Sequence, residues 1–92
     1  MFVIEDEIHA ELCGEFTTFN DTLMELRFRS TIPWDSKPNV CPCTSWKICS
    51  RDYIIVEYDN SQLPWKEIKR TPVLEVSAKG PIWDEKFKER LS

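Results

Sequence analysis

Three of the four cysteines, Cys41, Cys43 and Cys49, fall within nine residues of one loop. The wider stretch 33–49 also holds Trp34 and Trp46, and prolines at 33, 38 and 42. Thiolates are good zinc ligands, and a structural zinc takes four ligands in a tetrahedron. The loop offers three, and Cys13 or His9 completes the set if the first strand ends nearby. Cys49 also stands between Lys47 and Arg51, cations of the kind that favour a reactive thiolate. A nucleophile needs a base as well, and His9 is the sole histidine. His9 and Cys13 are four positions apart, about 13 Å along a strand, so those two do not form a dyad.

The spacing Cys41-x-Cys43-x5-Cys49 departs from the C-x2-C of zinc knuckles and from the C-x-x-C of redox motifs. It resembles the three-cysteine C-x-C-x4-C zinc loop that follows methyltransferase SET domains. That resemblance covers nine residues with a gap one longer, and the chain has no room for the catalytic domain, so it implies ligand chemistry and no activity. The alternative for all four thiols is burial as small hydrophobes. Tryptophan is enriched at interface hot spots but is also core material. Trp34 and Trp46, on the irregular loop beside Lys47, are the expected partner contacts.

Other chemistry is thinly represented. Glu5-Asp6-Glu7 lacks the oxygen count and the glycine of a calcium loop and reads as a solvated acidic turn. No glycine-rich phosphate cradle, G-x-S-x-G or H-E-x-x-H occurs. Glu57 is the carboxylate expected to be partly buried, with Arg51 or Arg70 as its counter-ion.

Ninety-two residues make a single domain, 1–92, with one core and little room for a deep substrate pocket. The net charge is −4 and uneven, with three basic against eight acidic side chains in 1–46 and nine against eight in 47–92. The basic residues of the second half alternate with acids, as in Lys66-Glu67-Ile68-Lys69-Arg70, so no cationic stripe for nucleic acid forms. No apolar run has the length of a membrane span or of a leader's core. The chain therefore reads as cytoplasmic, with reduced thiols.

The elements that must position these residues follow from periodicity. Phe2, Ile4, Ile8, Ala10 and Leu12 share parity, which predicts one long bent strand, with a hairpin through 5–7 as the alternative. Gly14 ends that element. Thr18 with Asp21 caps an amphipathic helix over 19–30, facing inward with Phe19, Leu23 and Leu26 and flanked by Met24 and Phe28. Pro33 ends it. A long Pro/Cys/Trp loop at 33–50 feeds a central strand over 51–58, apolar on both parities. A turn at 59–61 follows, then a short helical turn from Leu63 to Arg70 and a strand from 73 to 78 with Leu74, Val76 and Ala78 inward. Asp84 caps a short C-terminal helix through Trp83, Phe87 and Leu91.

The resulting expectation is an α+β domain: an antiparallel sheet of three to four strands, one main amphipathic helix and a short C-terminal helix. Its expected role is a non-catalytic module that binds a protein partner or another copy of itself, with no cofactor. A zinc module on Cys41, Cys43 and Cys49, with Cys13 a weaker fourth ligand, is the alternative. A thiol enzyme centred on Cys49 is the third reading.

Overall fold

The structure, a computed structural model, describes residues 1–40 and 50–88. Five strands and one helix follow one another as β1 (Phe2–Asp6), β2 (Glu11–Phe16), α1 (Phe19–Arg29), β3 (Arg51–Asp59), β4 (Lys66–Ser77) and β5 (Gly80–Trp83). The strands form one antiparallel sheet in the order β2-β1-β3-β4-β5. The α+β class and the antiparallel sheet match expectation, and the strand count is higher.

β3 is central and buried on both faces. Tyr53 and Ile55 join Ile4, Leu23, Leu26, Val73, Leu74, Val76 and Phe87 in the core. Ile54 and Val56 point to the opposite face, where no second layer of secondary structure lies among the described residues. A polar strap roofs them. Glu5 on β1 and Arg70 on β4 flank β3 and pair across it at 3.6 Å, and the Tyr58 hydroxyl donates to Glu5 Oε2 at 2.7 Å. That hydrogen bond, reinforced by burial, pushes the Tyr58 hydroxyl up to about 12. Arg70 also holds Glu67 at 3.0 Å and Glu7 at 3.5 Å.

The helix is as expected. Thr18 is extended and its hydroxyl accepts the Asp21 N–H at 3.1 Å, an N-cap that satisfies one orphan donor. Leu23 and Leu26 are buried, whereas Met24 and Phe28 are exposed. A helix is about 10 Å across and strands lie about 4.8 Å apart, so one helix covers two or three strands. α1 lies over β1, β2 and β3. No helix among the described residues covers the part of the same face around β4.

Several expectations are corrected. The long strand through residue 12 is instead a hairpin, turning at 7–10. The Asp6 carboxylate accepts the Ile8 N–H at 3.1 Å, and Ala10 takes φ 51°, which reverses the chain and breaks the shared parity. Gly14 does not end the element; it lies inside β2, paired with Ile4, with Cys13 as the extra residue of a bulge. Leu63–Arg70 is not a helical turn. From Lys66 onward it is the first half of β4, held by pairing to β3 and exposed along 66–70. Ala78 is exposed in the turn before β5, and Val73 is buried instead. Glu57 is half-buried as expected but pairs with neither arginine; it faces Lys69 across the ladder, and among the described residues the fully buried carboxylate is Asp6. Residues 80–83 form β5, and 85–87 form a turn in which the Phe87 N–H donates to the Asp84 carbonyl at 2.9 Å. Beyond residue 88 the expected C-terminal helix lies outside the described residues, as do residues 41–49.

Candidate functional site

Among the described residues, two regions gather side chains capable of chemistry or binding. The first is polar and lies where β1 ends and β3 begins. Asp6 Oδ2 lies 2.6 Å from His9 Nδ1 and accepts from Arg51 Nη1 at 3.0 Å. Its Oδ1 accepts two backbone N–H groups, from Ile8 and Asp52, each at 3.1 Å. Burial alone would raise the Asp6 carboxyl, but the bonds from His9, the Asp52 N–H and Arg51 outweigh it and hold it below the ordinary carboxylate value.

Arg51 extends this cluster into the segment after α1. Its Nε donates to the Asn39 carbonyl at 3.1 Å, its Nη2 to the Val40 carbonyl at 2.7 Å, and its Nη1 also reaches Glu11 at 3.1 Å. Asn39 is fully buried. Its amide donates to the carbonyls of Arg29 and Ile32, both at 2.8 Å, and its Oδ1 accepts the Tyr53 hydroxyl at 2.9 Å. Arg29 closes the circuit, with its guanidinium 5.3 Å over the Tyr53 ring, Nε on Glu25 at 2.6 Å and Nη2 on the Cys13 carbonyl at 3.0 Å. No buried side-chain nitrogen or oxygen among the described residues lacks a partner. Arg29, Asn39, Arg51 and Tyr53 tie the 29–40 segment to the sheet, and Asp6 ties the turn after β1 to the start of β3.

An Asp–His pair is half of an acid–base device, and its other half is not supplied by Cys13. That thiol sits 3.6 Å from the Glu11 carbonyl and burial pushes its pKa up, which favours the unreactive thiol. Among the described residues no three His, Cys, Asp or Glu side chains are placed to hold a metal ion. Cys41, Cys43, Cys49, Trp46 and Lys47 lie outside the described residues. Trp34 is half-buried and packs against the core.

The second region is a groove of about 460 Å³ on the helix face of the sheet, beside the edge of α1. Phe2 on β1, Phe19 at the start of α1 and Phe87 after β5 make its wall. Phe2 and Phe19 meet edge to face at 5.9 Å, and Phe19 and Phe87 lie 6.4 Å apart. Ile55 and Thr71 come from paired positions on β3 and β4, and Glu57, Lys69 and Lys86 complete the lining. The groove exists because α1 stops short of β4 and no other helix among the described residues fills the gap. Sequence reading missed it. Its three phenylalanines are spread over the chain, and although the periodicity marked each on an apolar face, nothing in the spacing brought the three together.

A smaller cavity of about 200 Å³ lies near β5, between Asp52, Glu75, Ile82, Trp83 and Asp84. Exposed large apolar residues also occur on the first turn and β2 (Ile8, Leu12), on α1 (Met24, Phe28), around β4 (Leu63, Ile68) and on β5 (Ile82). Such scatter is ordinary for a small protein.

No family model matches the sequence, and no curated protein and no solved structure matches it either.

Proposed function

We propose that the protein is a small non-catalytic binding module, and that it docks an apolar segment of a protein partner in the groove beneath Phe19. The single observation that supports this reading is the groove itself: Phe2 and Phe19 are only half-buried along it, beside the buried Phe87, in a domain that buries its other core residues well. Protein partners are commonly anchored by apolar side chains entering such clefts.

The sheet edges favour groove docking over strand addition. β2 carries the bulge at Cys13, and the Cys13 carbonyl is already capped by Arg29. β5 is four residues long and contains Pro81. Bulges, short length and proline are the usual ways in which an edge is kept from pairing with another chain.

The test is an amide NMR titration with a neutral hexapeptide, Gln-Gln-Phe-Leu-Gln-Gln. The expected result is shifts concentrated on Phe2, Phe19, Ile55, Thr71 and Phe87, with the Phe19→Ala variant losing most of the response. Shifts at the Asp6–Arg51 end, or none at saturation, would overturn the groove reading. A change of mass on ultracentrifugation without peptide would identify the occupant as a second copy of the chain.

A further inference from the structure

We infer that the segment bound in this groove carries carboxylates beside its apolar anchor, and that Lys69 and Lys86 read them. The inference rests on the groove reading above and adds the chemistry of the partner. The chain as a whole is acidic, at −4, yet the charged side chains lining the groove are two lysines and one glutamate. Arg29, Arg51 and Arg70 each spend their charge on carboxylates within 4 Å. Lys69 and Lys86 do not: neither ammonium forms an ion pair within that distance among the described residues.

Placement strengthens the point. Lys69 stands on β4 opposite Glu57, and Lys86 follows β5 in a turn whose backbone is fixed by its N–H donating to Asp84 Oδ1 at 3.2 Å. Two cations therefore reach one apolar groove from separate elements, while Glu57 tempers but does not cancel them. A basic segment would meet like charge on entering, and like-charge contact is how interfaces reject wrong partners. The groove is open to solvent on one side, so it suits a segment lying across it better than a small molecule, which binds where most of its surface is enclosed.

The experiment compares three hexapeptides on the whole chain: Glu-Glu-Phe-Leu-Glu-Glu, Gln-Gln-Phe-Leu-Gln-Gln and Lys-Lys-Phe-Leu-Lys-Lys. The expected order of affinity is acidic, neutral, basic, with about fivefold between the first two at low salt, as exposed ion pairs of modest strength give. The preference should shrink as salt is raised from about 0.05 to 0.5 M, because rim charges are screened. Lys69→Gln with Lys86→Gln should remove the preference, so that the acidic and neutral peptides bind alike; both lysines are exposed, so the fold is kept. Equal binding of all three peptides in the groove would sink the charge inference and spare the groove. An acidic preference that survives the double variant would also overturn it. Failure of every peptide to shift the groove would remove the underlying reading instead.

Discussion

The polar end of the sheet and the phenylalanine groove are built from opposite materials. Around Asp6, Arg51, Asn39 and Tyr53 each strong donor meets an acceptor, and several of those acceptors are backbone carbonyls of the 29–40 segment. In the groove Phe2 and Phe19 are only half-buried and two ammoniums have no counter-ion within 4 Å among the described residues. The polar end contains the residues that look catalytic, a carboxylate on a histidine and a buried arginine, yet among the described residues every buried side-chain nitrogen and oxygen there is already partnered. The groove contains no reactive group and has interactions still to make. Saturation marks a fastener, and surplus marks a binding surface.

The sharpest way to break this comparison is to remove the fastener. Arg51→Met leaves Asp6 buried without its guanidinium and strips donors from the carbonyls of Asn39 and Val40. Deleting one partner of a buried pair costs roughly 3–5 kcal/mol. Urea unfolding should show a loss of that order, and Asp6→Asn combined with Arg51→Met should cost less than the two single changes summed. A loss under about 1 kcal/mol would mean that the cluster is not holding the fold.

Trp34 sharpens the boundary between fastener and contact surface. Its ring packs on the core while its loop was the expected recognition element. Trp34→Ala should cost about 2 kcal/mol, less than for a fully buried tryptophan because the ring is half-exposed. Unchanged stability with lost association would instead make the loop the partner surface and displace the groove.

Acid should weaken the fastener before it touches the groove. The folded Asp6 carboxyl lies below its ordinary value, so it binds protons less readily folded than unfolded. Its contribution is therefore complete above the ordinary carboxylate range, roughly pH 4, and is lost as pH falls through the lower folded value. Unfolding free energy measured from pH 6 to pH 2 should decline, and Asp6→Asn should flatten part of that decline. The wild type and Asp6→Asn falling in parallel would assign the acid sensitivity elsewhere.

How much of this was legible before the structure depended on the range of the interactions. The cap of α1 lies within Thr18–Asp21, three residues apart, and could be read directly. β3 announced itself because both of its faces are buried. The turn at 7–10 was hidden by a parity that runs through Phe2, Ile4, Ile8, Ala10 and Leu12 by coincidence of composition. The first half of β4 was hidden for the opposite reason: 66–70 are exposed, carry no apolar alternation, and become a strand only by pairing with β3. The polar cluster joins residues 45 apart for Asp6–Arg51, 24 apart for Arg29–Tyr53 and 14 apart for Asn39–Tyr53. Spacing cannot report such pairs, since they are set by sheet order. The groove was invisible for the same cause: it is a shortfall of helix over strands, and a shortfall leaves no motif.

The smallest predicted effect concerns the residue next to the fastener. Asp52 gives its backbone N–H to Asp6, but its own carboxylate accepts no hydrogen bond among the described residues. Burial raises its pKa, and the negative charges of Glu7, Glu75 and Asp6 raise it further. The sign is therefore opposite to that of Asp6. Folding disfavours the Asp52 charge, so the charge costs stability above the raised folded value, and the cost is relieved as pH falls through it. Asp52→Asn keeps the backbone bond and removes the charge, and should stabilise by about 0.5 kcal/mol at pH 7, the range of a partly exposed site. That gain should vanish near pH 3, where the native carboxyl is already protonated. Guanidinium melts of the two proteins at pH 7 and pH 3 separate the outcomes. A gain at neutral pH alone places Asp52 among the unfinished charges of the molecule. A loss would show that its carboxylate belongs, like Asp6, to the saturated network.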